Sequence, residues 1–303
     1  MKQFLLFLFS MLLSTPLFAE DKVMSLHDGA RIYFEDEGEG EVVLLLHGHT
    51  LDRRMWAEQV KVLKDSFRVI VPDFRGYGLS SDPIEGVQFT YADDLIEMLD
   101  FLNISKVHVV GLSMGGYVAG DLLAMYPKRL LSCMMVAGEI CNRPGPTMPK
   151  TREERERQRQ WNAKSLKVGL VNYKIDRINQ LVARAGSHGE EMRQPLTVMI
   201  LEWRAWQAQH VTCRVYYGRD AWARLKETKP NVPSLIIYGE KEGAGRSRML
   251  DYLPDADQLT FEDCGHMVNM EQPALFNETL LRWLRNHRER LVRVPLSEGR
   301  TKN

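Results

Sequence analysis

The chain has 303 residues, and its 40 Lys and Arg are matched by 40 Asp and Glu, so the formal charge is zero. Hydrophobic residues make up 44% and charged residues 26%, ordinary globular proportions that exclude a collagen-like or largely disordered chain. With no net basic field, no nucleic-acid partner is expected.

Residues 1–19 start with Lys2, run through an apolar stretch from Phe4 to Leu13 and reach Ala19 just before Glu20. This is the layout of a secretory signal peptide. A periplasmic or secreted protein is therefore expected. The apolar run falls short of the roughly 20 residues a spanning helix needs, so no stable membrane association is expected once the segment is removed. An oxidising compartment would permit disulfides. The cysteines at 133, 141, 213 and 264 admit several pairings, a Cys141–Cys213 bridge across the base of an insertion among them.

After the leader, VMSLHDGARIYFEDEG alternates apolar and polar residues around Asp28-Gly29, the pattern of a β-hairpin. Short, wholly apolar runs then alternate with helical patterns. EVVLLL precedes a helix at about Asp52–Lys64, FRVIVP one at Tyr91–Leu102, and KVHVVG one at Met114–Tyr126. LLSCMMVAG, PSLIIYG and DQLTF continue the series, and a last helix begins near Gln272. Strands apolar on both faces and separated by helices predict a mostly parallel sheet, with the hairpin as its antiparallel edge. The stretch 140–217 is too long for a loop and reads as a helical insertion over the carboxyl ends of the strands, where open α/β sheets bind ligands. The expected organisation is a core of 20–139 and 218–290, a helical cap of 140–217 and a polar, frayed tail of 291–303. In the cap, Trp203 and Trp206 stand three residues apart, a spacing that favours packing on the core over a pocket wall.

The chemistry concentrates in three segments. VVGLSMGGYVAG places Ser113 in a G-x-S-x-G turn between a strand and a helix. Such a turn strains the serine backbone, and its glycines remove side chains that would collide. A serine hydroxyl needs a base, and DCGHMVNMEQP supplies His266 late in the chain. The imidazole in turn needs a carboxylate to fix its tautomer. The chain order serine, acid, histidine favours Glu242, in the loop after PSLIIYG, over Glu139. Asp263 is too near His266 in sequence to serve and reads as a turn cap. The turn LLLHGHTLDRRMW would supply the backbone N–H of His49, which with that of Met114 forms an oxyanion hole. His47 and His49 stand two apart, but no carboxylate or Cys cluster nearby completes a metal site, so no metal or other cofactor is expected.

These segments, in this order, resemble the α/β-hydrolase family over about residues 23–290, and most closely its esterase and enol-lactonase-like branch. PDFRGYGLSS looks like the family's segment after the fourth strand, with Asp73 and Arg75 in structural roles. The resemblance implies a cap domain at the insertion and hydrolysis through an acyl-enzyme at Ser113. It departs at the acid, where Glu stands in GEKE in place of the family's usual Asp. The longer side chain requires the loop to retreat, or else Glu139 to serve. Ser in place of an Asp nucleophile favours attack on a carbonyl, so the expected partner is a small-molecule ester or lactone. C–C bond hydrolysis and perhydrolysis use the same triad. A non-catalytic or slow-turnover receptor on the same scaffold is the alternative, supported only by the unusual acid loop.

Overall fold

A computed structural model describes residues 22–142, 151–210, 215–253 and 255–288. The leader, the tail and Cys213 lie outside the described residues. Cys133, Cys141 and Cys264 are free and buried.

The apolar runs become strands because each buries both of its faces. The strands are β1 (Lys22–Ser25), β2 (Arg31–Glu37), β3 (Val42–Leu46), β4 (Arg68–Pro72), β5 (Val107–Leu112), β6 (Leu130–Val136), β7 (Ser234–Gly239) and β8 (Asp257–Phe261). They form an eight-stranded sheet in the order β1-β2-β4-β3-β5-β6-β7-β8. β2 runs opposite to the other strands, closing the predicted hairpin edge with β1 through Gly29 at φ 84°. Alternate residues of one strand enter opposite cores. Leu44 and Leu46 of β3 pack on one face while Val43 and Leu45 pack on the other, and Met135 and Met134 of β6 divide the same way. That period-two division is why the runs carry no polar residue at every second position.

The helices are α1 (Ala57–Leu63), α2 (Tyr91–Phe101), α3 (Met114–Met125), α4 (Arg152–Leu166), α5 (Leu170–Ala183), α6 (Arg193–Glu202), α7 (Trp206–Gln209), α8 (Arg219–Thr228), α9 (Val268–Glu271) and α10 (Pro273–Asn286). Four of them, α4 to α7, fall between β6 and α8, inside the predicted insertion. The helix expected at Asp52–Lys64 starts with a 3₁₀ turn, Arg53–Trp56, capped by the Asp52 carboxylate on Arg54 N. No helix among the described residues is long and apolar enough to cross a membrane.

Register decides where the chemistry lands. Leu46 pairs with Gly111, Leu112 with Val136, Val136 with Ile237, and Gly239 with Phe261. The carboxyl ends of β3, β5, β6, β7 and β8 are thus level, and the segments bearing His49, Ser113, Glu139, Glu242 and His266 all leave from one edge. The strand order reverses around β3, which has β4 on one side and β5 on the other. The crevice at such a reversal is where this architecture takes ligands.

Asp73 and Arg75 hold the segment after β4, as expected of structural residues. The buried Asp73 carboxylate accepts from Arg53 N at 2.8 Å, from Arg53 Nη1 at 2.6 Å and from Leu79 N at 2.9 Å. Arg75 is equally buried and forks onto Asp94 at 2.7 and 2.9 Å, with a third bond to Asp28. A buried guanidinium is tolerated only when its charge is met in this way.

Candidate active site

Ser113 sits between β5 and α3 with φ 57° and ψ −109°, a conformation that side-chain-bearing residues rarely adopt. Strain of this kind costs about 1–3 kcal/mol and persists only where the surroundings over-determine it. Here they do. Ser113 N donates to Val136 O at 2.7 Å and Ser113 O accepts from Tyr117 N at 3.0 Å. The flanking glycines are required by close approach and not by their own backbone angles. A Cβ on Gly111 would lie 2.1 Å from Gly115 O, and one on Gly115 would lie 2.1 Å from Leu46 O. Neither obstacle can rotate away. Gly115→Ala is therefore expected to cost about 3 kcal/mol, read as a lower denaturant midpoint; a wild-type midpoint would show that the turn has slack.

Met114 opens α3, so its N–H has no acceptor within the helix and lies at the helix's positive end. His49, the other predicted donor, follows β3, and its ring is fixed by Tyr77 Oη at 2.6 Å and edge-on by Trp203 at 5.2 Å. His47 has a structural role. Its Nε2 accepts from Phe74 N at 3.0 Å, so Nδ1 carries the proton and donates to Gly48 O at 2.9 Å. Both ring nitrogens are committed, which leaves no lone pair for a metal, and burial pushes its pKa down.

The two candidate acids are separated by their partners. Glu242 ends the 3₁₀ turn Glu240–Glu242 directly after β7, and its Oε1 lies 2.6 Å from His266 Nδ1. Glu139 faces elsewhere, its oxygens accepting from Tyr238 Oη at 2.6 Å and Ser247 Oγ at 2.5 Å. The longer Glu is accommodated because its loop is tied to the His266 loop. Lys241 N donates to Cys264 O, and Asp263 N donates to Glu240 Oε2, each at 2.9 Å. Asp263 does not cap its own turn; its carboxylate accepts from Ser187 N and Oγ in the insertion.

With Nδ1–H facing Glu242, Nε2 of His266 is the acceptor, the tautomer a general base requires. The side chains of His266 and Glu242 are 24% and 22% exposed, so water screens the pair only in part. Among the described residues no hydrogen bond joins the His266 ring to Ser113. Contacts of this kind are often long before substrate binds and tighten around it.

A residue that sequence reasoning missed holds the histidine loop. Glu271 is buried, and its carboxylate accepts from Gly265 N at 2.7 Å and Met267 N at 3.0 Å, on either side of His266, and from Gly186 N at 2.8 Å. The only signal was an acid inside MEQP, which an apolar-period reading assigns to a helix surface.

Sequence reasoning also missed the cavity wall. Ser113, Met114 and His49 open on a cavity of about 360 Å³ lined by Tyr77, Phe89, Tyr91, Tyr117, Trp206 and Tyr216. Burial raises the phenol pKa of Tyr77 and Tyr216, so this wall stays uncharged. The two tryptophans divide. Trp203 is 4% exposed and stacks parallel to Tyr77, as expected for core packing, whereas Trp206 also faces the cavity.

Residues 41–273 match the model of the alpha/beta hydrolase fold. The chain belongs to that family. It is 27% identical over 234 residues to 3-oxoadipate enol-lactonase 1 of Acinetobacter baylyi, covering 74% of this chain and 81% of that protein. It is equally 27% identical over 280 residues to the non-heme chloroperoxidase CPO-A1 of Kitasatospora aureofaciens, covering 86% and 98%. Among solved structures, a thermophilic esterase from Thermogutta terrifontis superposes with a TM-score of 0.65 at 28% identity, covering 89% of this chain and all of that one. Similar identities thus attach to differently named activities.

Proposed function

We propose that the protein is an exported serine hydrolase that cleaves a small carboxylic ester or lactone through an acyl-enzyme on Ser113. The observation that carries the reading is the Glu242–His266 hydrogen bond at the strand edge that also bears the strained Ser113. That contact removes the feature that had favoured a non-catalytic receptor.

In the proposed cycle, Ser113 Oγ attacks the carbonyl carbon as its proton passes to His266 Nε2. The electron pair of the C=O bond moves to oxygen, which accepts from the N–H groups of His49 and Met114. One such donor contributes about 3 kcal/mol where charge develops. The imidazolium is stabilised by Glu242, which remains ionised. Collapse of the oxyanion breaks the bond to the leaving alcohol, which takes the proton from His266. Water then attacks the acyl carbonyl carbon as its proton passes to the same nitrogen, and collapse breaks the bond to Ser113 Oγ, which takes that proton back as the acid leaves. The neutral, aromatic cavity wall suits an apolar acyl group over a charged one. The relatives named as an enol-lactonase and an esterase support the ester or lactone assignment. Export is supported by Lys2 and the apolar run that follows it.

The test is to treat the purified mature chain with a fluorophosphonate and with short aryl esters. Stoichiometric labelling at Ser113 and multiple turnover are expected. An unlabelled, inactive protein with a native melting transition would reject the proposal.

A further inference from the structure

The side chains lining the cavity at Ser113 differ in how their polar ends are met. Tyr77 Oη is committed to His49 Nδ1 at 2.6 Å, and Tyr91 Oη donates to Arg75 O at 3.3 Å. The Gln207 amide has no partner, but protein encloses it: a Cβ on Gly76 would lie 2.2 Å from its Nε2. Tyr216 is neither committed nor enclosed. Its hydroxyl makes no hydrogen bond among the described residues, nor is it walled in by protein as that amide is. The residue is partly buried and lines the same cavity as Ser113, Met114 and His49, so the space its hydroxyl meets is the space in which the carbonyl would sit.

This phenol is also held in place. Val215 O accepts from Tyr91 N at 3.2 Å and Tyr217 N donates to Asp121 Oδ2 at 2.8 Å, so the backbone is pinned on both sides of Tyr216. Its ring stands edge-on to Tyr117 at 5.7 Å and tilted to Tyr91 at 6.0 Å. Tyr117 lies one turn from the nucleophile, and its N–H donates to Ser113 O. Burial keeps the Tyr216 phenol protonated at neutral pH, so it offers a fixed donor. A phenylalanine would serve if packing were its whole purpose. Buried phenols normally find a partner, because a hydroxyl stripped of water and left unpaired costs free energy.

We propose that Tyr216 is a specificity-determining residue whose hydroxyl donates a hydrogen bond to an uncharged oxygen carried by the acyl group of the substrate. The proposal rests on the acyl-enzyme reading above and narrows its substrate class to acyl groups bearing an ether, carbonyl or hydroxyl oxygen. An acyl chain bound at Ser113 fills the cavity and displaces the water that would otherwise meet the phenol. A purely hydrocarbon chain leaves the hydroxyl stranded, whereas one with an oxygen at the right distance restores the bond. The oxygen is uncharged because the phenols of the wall stay neutral and offer no countercharge.

The experiment uses 4-nitrophenyl esters in isosteric pairs that exchange one CH₂ of the acyl chain for oxygen: 3-methoxypropanoate against pentanoate, 4-methoxybutanoate against hexanoate, and 5-methoxypentanoate against heptanoate. Each kcat/KM is divided by that ester's alkaline hydrolysis rate. In the wild type the ether-to-alkyl ratio is expected to peak at one chain length, about tenfold above the others, the effect of one hydrogen bond in a shielded site. In Tyr216→Phe, checked for a native melting transition, the profile should be flat. Tyr217→Phe deletes the neighbouring hydroxyl, which donates to Asp93, and should keep the peak. A flat wild-type profile, a readout that needs no variant to fold, overturns the subsite and leaves the hydrolase reading intact. So does a peak that survives in Tyr216→Phe or is lost equally in Tyr217→Phe. If no ester turns over and fluorophosphonate does not label Ser113, the hydrolase reading falls and the subsite falls with it.

Discussion

Ser113→Ala is expected to lower kcat on short aryl esters by about a million-fold and to abolish fluorophosphonate labelling, because removing a nucleophile is as damaging as removing the whole triad. Without the hydroxyl, neither His266 nor the donors at His49 and Met114 has a tetrahedral centre to act on. The fold should survive, because the Oγ makes no hydrogen bond among the described residues. Ser113→Gly supplies a sharper control. It removes the same hydroxyl and also relieves the backbone at φ 57°. It should be as inactive as the alanine variant yet more stable than the wild type by about 1 kcal/mol, seen as a higher denaturant midpoint. Retained turnover in either variant would remove Ser113 from the chemistry.

Glu242→Gln carries the next largest effect, a fall in kcat of about 10²–10⁴-fold with substrate binding little changed. The amide cannot stabilise the imidazolium. Its NH₂, placed 2.6 Å from Nδ1, would also require that nitrogen to accept, which moves the proton to Nε2 and disables the base. Glu139→Gln is the matched comparison. Glu139 accepts from two hydroxyls, those of Tyr238 and Ser247, and a Gln carbonyl keeps an acceptor there. A change of a few-fold is the expected outcome for that variant. If Glu139→Gln proved the more damaging substitution, the acid role would pass to Glu139 and the Glu242–His266 contact would be incidental.

The two carboxylates show why part of the site could be read early and part could not. Chain order alone ranked Glu242 above Glu139, since each follows a strand and each is a Glu. Only the loop hydrogen bonds through Lys241 N and Asp263 N bring Glu242 to the imidazole, while Tyr238 and Ser247 hold Glu139 away. Those partners lie many residues distant, and nothing local in the sequence announces them.

The strands, the hairpin at Asp28-Gly29 and the G-x-S-x-G turn were legible because their causes are local. An apolar run buried on both faces is written in consecutive residues, and a strained serine needs glycines at fixed offsets. The cavity wall and the Glu271 clasp on the His266 loop could not be read this way. Each depends on which side chains from separate elements meet across the sheet edge. Trp203 and Trp206 make the point at its smallest scale: one period put both on a single helical face, yet the backbone turns at Ala205, φ 56°, and sends only the second towards Ser113. Period and spacing report what a residue's own neighbours demand, whereas partners, charge balance and cavity shape exist only once distant segments are packed together.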